Sequence, residues 1–440
     1  MEQMKIQFFN HACFSVEYKN NLLLCDPYLD GTAFNDGWDL IVEGISFEFD
    51  YKKNNFIYFS HEHPDHFSIS FLKSISQDFR SKITIIYQTT KSGRVANFLK
   101  SIGYEVIEVS DKDQFKIGEG FFITIGQVPF YDSWALININ GYKIVNANDC
   151  ILETPHRVND IKKVSQGCDV LFTQFSYANW VEGGSEITTA RNELAEEKLR
   201  RIQMQASTLS ARFVVPFASM VRFCHEENNY MNDSVNTPLR AIDYINNSTN
   251  AEAYLMVPYE IWNGIDSKDN TTAVEFWENA YNMAMNRALI KSNKSIDGYE
   301  LKEASKSMIK RVKSVNNWLF ISVLSHFKLL PELTIHISDL GENYSFSWSK
   351  GFQKIDDISV DLTLNSNSVY FLFSFDFGVD TLNVNARFSG SLLSKKRLIR
   401  CFSPLALNNM GLYISLNGIL NILTDKAFLK QGLRTIGFIK

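Results

Sequence analysis

The chain switches between two hydrophobic periods, and the switching lays out its expected layers. Short apolar runs bounded by polar residues, the mark of buried strands, fall at 5–18, 21–26, 56–59, 83–87, 121–125, 133–139 and 142–146. Lys19-Asn20-Asn21 closes the first pair, and Asn140-Gly141 is a two-residue hairpin turn. Between them, Ile69, Leu72, Ile75 and Phe79 repeat at helical spacing and predict a helix over 68–82. A second helix over 93–102 stops at Gly103. Strands alternating with helices predict a layered α/β sandwich over residues 1–260.

Beyond that the pattern changes twice. From Thr271 an apolar helical face carries Ala273, Trp277, Ala280 and Ala284, and a second helix is expected over 300–327. The basic turn of that helix, Lys306, Lys310, Arg311 and Lys313, reads as a solvated face. After 331 the period falls to two at 358–364, 369–375 and 382–388, which predicts half-buried antiparallel strands, with a closing helix over 405–429. The expected organisation is a domain at 1–260, a helical connecting segment at 261–330 and a smaller α+β domain at 331–440.

Composition narrows the function classes. A formal charge of −5 over 440 residues leaves no basic stripe, so nucleic acid is not the expected partner. No apolar run reaches eighteen residues, and the start lacks a cationic segment followed by an apolar one. Six cysteines are scattered without CxxC spacing, as buried thiols of a reducing compartment are. The expectation is a cytoplasmic protein acting on a small molecule.

The chemistry concentrates at Ser60-His61-Glu62-His63-Pro64-Asp65-His66, directly after the apolar run Phe56-Ile57-Tyr58-Phe59. The chain has eight histidines, so three within six positions mark a built site rather than a polar loop. A buried strand fixes where the loop begins, and Pro64 stiffens its middle. Imidazole and carboxylate donors suit zinc, iron or manganese rather than calcium or magnesium. His61 and His63 can converge on one ion, and Asp65 and His66 on a second.

The H-x-H-x-D-H spacing, with Leu22-Leu23-Leu24-Cys25-Asp26-Pro27 upstream, resembles the metal-binding signature of the metallo-β-lactamase superfamily. The resemblance implies an αββα sandwich binding two divalent metal ions, zinc or iron with manganese as a further candidate. It implies that Asp149, after the apolar stretch 144–147, bridges the ions and that His225 completes the Asp65/His66 set. Asp65 and His66 are then the catalytic pair, with Asp65 orienting a metal-bound water. The superfamily's histidine between the first motif and the bridging aspartate is missing here. Asp132, His156 and His11 are the candidates to replace it, with Gln127 and Tyr131 in the same region.

Further stretches, including Tyr131-Asp132-Ser133-Trp134, Phe175-Ser176-Tyr177-Ala178-Asn179-Trp180 and 378–388, resemble CMP-N-acetylneuraminic acid hydroxylases. Those enzymes carry a Rieske cluster, and no C-x-H…C-x-x-H spacing occurs in this chain. The expected function is a metal-dependent hydrolase of a nucleotide-linked or other anionic sugar or ester. The alternatives are an iron-dependent hydroxylase using a separate redox partner, and a non-catalytic binding protein. His11, Tyr177, Trp180 and Arg222 are the expected substrate-binding residues, by ring stacking and phosphate pairing. The C-terminal part is expected to resemble a sterol-carrier module.

Overall fold

A computed structural model describes residues 4–129, 132–181, 188–292, 294–356 and 359–415. Among these residues, two seven-stranded sheets pack against each other. The first runs in the order Ile261–Trp262, Lys5–Asn10, Cys13–Tyr18, Asn21–Cys25, Asn54–Tyr58, Ile83–Gln88, Glu105–Val109. Its central strands are parallel. Asn21–Cys25 is buried along its whole length, which explains its unbroken Leu-Leu-Leu run. The second sheet runs Glu252–Ala253, Phe213–Phe217, Val170–Gln174, Tyr142–Asn148, Asp132–Ile139, Phe121–Val128, Gln114–Gly118. Asn140 and Gly141, at φ 50° and 91°, form the tight turn between two of its strands.

The sheets meet through their facing apolar side chains. Phe14 of the first stacks on Phe172 of the second, with ring centroids 4.2 Å apart and planes within 5°. On the outer face of the first sheet, Leu72, Val95 and Leu99 cover Leu24, Ile57 and Ile85. Helices Pro155–Ser165, Thr189–Leu209 and Pro238–Ser248 supply Val158, Ile161, Leu199, Ile202 and Ile242 to the core around the second sheet. The layers are therefore helix, sheet, sheet, helix.

A five-stranded sheet follows, in the order Gly351–Ile355, Glu342–Ser347, Leu333–Ile337, Leu362–Leu364, Ser389–Gly390. Leu301, Met308 and Val312 of helix Gly298–Val315 join Phe346, Phe352 and Phe373 in its core. That core is continuous with Tyr28, Phe34, Trp38, Tyr177, Trp180 and Phe223 of the N-terminal part. Trp277 and Ala284 of helix Thr271–Met285 instead join the first core, so the helices after 261 divide between the two.

Several expected elements differ. The stretch 5–18 is two strands, because His11 turns the chain at φ 43°. The helix expected at 68–82 breaks at Ile75 into Ile69–Ser74 and Gln77–Arg80. The helix expected over 300–327 is two, because Asn317 accepts hydrogen bonds from the Leu319 and Phe320 amides and caps Trp318–His326. Two period-two stretches are helices, Ser366–Ser374 and Gly378–Asn385. The first is capped by Asn365 and buries Val369, Leu372 and Phe373, a spacing that serves a helix as well as alternation serves a strand. Ile358 and residues 416–429 of the expected final helix lie outside the described residues.

Phe14 is fully buried at the join of the sheets. Phe14→Ala is expected to destabilise the protein by about 3–5 kcal/mol, read from the shift in urea midpoint at constant m.

Candidate metal centre

The carboxyl ends of the parallel strands meet at one edge of the sandwich, and the polar residues cluster there. Asp26 follows the third strand, His61 follows Asn54–Tyr58, and Asp149 follows Tyr142–Asn148. His11 reaches the same edge from the first turn, because its carbonyl accepts a hydrogen bond from the Ala218 amide of the second sheet at 2.9 Å. His11, Asp26, Asn148 and Ala218 all have positive φ, between 37° and 51°. Such left-handed backbone is costly away from glycine and gathers at functional edges.

Ser60 anchors the loop from both sheets. Its amide donates to Asp26 Oδ1 at 2.7 Å, and its carbonyl accepts from Ser133 Oγ at 2.6 Å and Gln88 Nε2 at 3.1 Å. The His63 carbonyl accepts from the His66 and Phe67 amides, which closes the loop around Pro64.

Two groups of potential ligands result: His61, His63 and Asp149, and His11, Asp65 and His66. Within each, one ligand atom per residue lies within 4.8 Å of the others. His61 Nε2 is 2.8 Å from His63 Nδ1 and 3.9 Å from Asp149 Oδ1. His66 Nε2 is 3.4 Å from the same Asp149 oxygen and 3.6 Å from Asp65 Oδ2, and His11 Nε2 is 3.2 Å from Asp65 Oδ2. Asp149 thus stands between the groups. His66 Nε2, Asp65 Oδ1 and Asp149 Oδ1 are buried without hydrogen-bond partners. Buried polar atoms left unpaired are costly, and a cation between them would remove the cost. The donor set fits zinc, iron or manganese.

The outward nitrogens have holders of their own. His66 Nδ1 lies 3.1 Å from Asp26 Oδ2, and His61 Nδ1 lies 2.9 Å from Ser60 Oγ and 3.4 Å from Asp132 Oδ1. Carboxylates in this position fix the ring and its tautomer. Burial, reinforced by His66 and His63, pushes the His61 imidazole well below its usual pKa, although Asp149 acts against it. Burial would do the same to His66, but Asp149, Asp65 and Asp26 outweigh it and raise this imidazole to about 10. Burial tends to raise Asp65, yet His66 and then His11 hold it well below the carboxylate range. Asp132 is pushed well above that range by burial and by Asp149.

The other expected site residues are placed differently. Asp132 faces the outer nitrogen of His61, so it does not take the place of the missing histidine. His156 is exposed beside Asp160, Gln127 donates to the Thr89 carbonyl, and Tyr131 lies outside the described residues. His225 joins neither group, because the strand before it, Val221–Phe223, pairs with Trp38–Leu40 in a separate small sheet. Its ring lies 3.3 Å from Glu227 and 3.4 Å from Ser292, both bonded to Arg387. His11, expected in the substrate pocket, takes the place expected for His225. Arg222 is buried and bidentate to Asp39, and it also donates to the Arg287 and Ala288 carbonyls, so it is not open to phosphate. Tyr177 donates to the Met231 carbonyl, and Trp180 stacks on Phe388 at 4.7 Å, so both are core.

Sequence reading missed Lys198. Its ammonium donates to Gln174 at the end of the adjacent strand, and burial and Arg201 lower it to about 8 against Glu197 and Asp149. A lysine on a long helix gives no sequence sign of this. Asp26 was legible only as part of the Asp-Pro stretch.

This fold and this edge define a class. Residues 5–171, which hold all the potential ligands named above, match the β-lactamase superfamily domain family. It is similar to the cytidine monophosphate-N-acetylneuraminic acid hydroxylases of Asterias rubens (25% identical over 256 residues, 53% of this chain and 37% of that one) and Mus musculus (26% over 245 residues, 53% and 42%). The chain spans about two-fifths of the length of these relatives. Among solved structures, the diiron β-hydroxylase CmlA from Streptomyces venezuelae is 12% identical at TM-score 0.41, covering 60% of this chain and 54% of that one. Igni18, a metallo hydrolase from Ignicoccus hospitalis, is 17% identical at TM-score 0.38, covering 59% and 97%. Both likenesses are weak, and the family match of residues 5–171 rests on sequence.

His11→Ala and His66→Ala are each expected to remove most of one metal equivalent, whereas His225→Ala keeps both. Elemental analysis of the purified variants checks this, and loss of metal in His225→Ala alone would reverse the assignment.

Proposed function

We propose that the chain is a two-metal enzyme whose ligand sets take iron and serve the hydroxylation of an anionic, nucleotide-linked sugar. The observation that carries this is the make-up of the two groups, each with two imidazoles and one carboxylate. Two-histidine, one-carboxylate sets with open positions suit non-haem iron. The hydroxylase names of the sequence relatives support the same reading. When bound, iron supplies the activation of dioxygen, and the electrons come from a separate redox partner.

The chain's own residues do the rest. Asp26 and Asp132 hold His66 and His61 in orientation. Asp65, kept anionic and with Oδ1 unpaired, can accept a hydrogen bond from a substrate hydroxyl or a water and orient it. Phe34 packs edge-on to His63 at 5.7 Å and supports that side of the loop. Lys198, bonded to Gln174 at the carboxyl end of its strand, is the cation proposed to meet an anionic substrate. Hydrolysis is the second reading, favoured by that same Asp65 carboxylate, which would orient an attacking water if zinc filled the site.

Protein purified without oxygen and loaded with ferrous iron is expected to consume oxygen only when a reductant and a CMP- or UDP-sugar are both present. Zinc-loaded protein that cleaves a phosphodiester, with no oxygen uptake by the iron form, would decide for hydrolysis. Lys198→Ala is expected to raise KM for the anionic substrate roughly tenfold, the size of one charged hydrogen bond. Thermal-shift assays in which millimolar CMP, UDP and their sugars give no stabilisation would remove the proposed substrate class.

A further inference from the structure

One charge feature of the sequence has no part in the metal centre. From Ala304 to Pro331 the chain has no acidic residue and five lysines and arginines, in a protein of net charge −5. The stretch covers most of helix Gly298–Val315 and all of helix Trp318–His326. Lys306 pairs with Glu303 and Arg311 with Asp376, whereas Lys310, Lys313 and Lys328 are exposed with no acidic partner among the described residues.

The same stretch is where the surface is most apolar. Helix Trp318–His326 turns Ile321 into the C-terminal core, with Trp318 and Leu324 packed beside it. Leu319 and Val323, one turn apart, fall on the opposite side, and Leu319 is 70% exposed. Phe327, just past the helix, is 69% exposed, and Val315 and Leu329 are exposed as well. No separate stretch of fifteen described residues exposes more than three large apolar or aromatic side chains, against five at 315–329. A face of this kind in water marks an interaction site. Basic residues rim it: Lys313 Nζ lies 5.5 Å over the Trp318 ring, and Lys328 stands between Phe327 and Leu329. The chain also leaves the described residues here, because the Ile414 amide donates to Asn316 Oδ1 and its carbonyl accepts from the Asn317 amide, each at 2.7 Å. The sequence that follows, 416–440, sets Lys426, Lys430, Arg434 and Lys440 against Asp425 alone.

We propose that this face docks on an anionic phospholipid surface, with its apolar side chains among the acyl chains and its lysines at the phosphates. Apolar side chains flanked by tryptophan and lysine are what an interfacial helix presents, and each basic residue near the surface adds to the attraction. A second copy meeting the same face would bring these lysines together, and like charges oppose that pairing. No helix of the described residues is long and apolar enough to cross a membrane, so the contact is with one leaflet. The proposal does not depend on the metal reading.

The test sediments the full chain with phosphatidylcholine vesicles, with and without phosphatidylglycerol. Binding is expected to the anionic vesicles and is expected to weaken as salt is raised. Leu319→Ser combined with Phe327→Ser is expected to lower the partition constant roughly 10–100-fold. The melting temperature of that variant is expected to hold, because both side chains already face water. Lys313→Gln combined with Lys328→Gln is expected to lower the partition constant roughly tenfold. Met283→Ser, which removes an exposed side chain from helix Thr271–Met285, is expected to change nothing. A wild-type chain that binds no vesicles would overturn the proposal, and so would binding that ignores both the lipid charge and the lysine substitutions. A lowered melting temperature in Leu319→Ser with Phe327→Ser, without vesicle binding, would overturn it in favour of a face covered by the chain's own residues. A dimer broken by the same two substitutions, again without vesicle binding, would overturn it in favour of a second copy.

Discussion

Everything at the working edge depends on holding charge where there is little water. Asp26, Asp65 and His66 are almost fully buried within a few ångströms of one another. Bringing such groups out of water is costly unless they pair closely and every remaining polar atom is satisfied. The protein meets most of that demand with Ser60, whose amide, carbonyl and hydroxyl all bond within the cluster. The remaining unpaired atoms converge on the spaces between the ligand residues. Carboxylate oxygens of Asp26, Asp65 and Asp149 all lie within 3.6 Å of the His66 ring, so the cluster stays attractive to a cation.

The two sheets contribute unequally to this edge. The first supplies the loop and Asp26, and the second supplies Asp149, Asp132 and Ser133. Their agreement in position comes from the core behind them, where Phe14, Phe172 and Phe217 lock the sheets together. The left-handed residues at the strand ends then turn side chains into the gap. Rigid layers fix the geometry, and short strained turns do the aiming.

How much of this could be read from the sequence follows from how local each feature is. The H-x-H-x-D-H loop and Asp149 were legible because ligand spacing within a loop is a local property. The layered α/β fold was legible because parallel strands buried on both faces leave unbroken apolar runs. His225 was misplaced because chain order says nothing about the small three-stranded sheet that carries it away from the edge. His11 gives no local sign of standing beside Asp65 and His66, because its backbone bond to Ala218 spans 207 residues. The stretches at 369–375 and 382–388 read as strands because Val369, Leu372 and Phe373 lie within a run that also alternates. A cap at Asn365 settles the matter locally, and one asparagine is a weak signal beside four alternating apolar residues.

The continuous apolar cluster joining the two parts has a practical side. Tyr28, Phe34, Trp38, Tyr177 and Trp180 belong to the sandwich by sequence and to the C-terminal core by packing. A fragment ending near 260 would lose only the edge strand Ile261–Trp262 from the two sheets and keep every ligand named above, yet it would present these five aromatic side chains to water as one sticky face. Such a fragment would self-associate, and its behaviour in solution would misrepresent the whole chain. The smallest well-behaved piece of this protein is set by where its aromatic rings are covered, well beyond the last ligand.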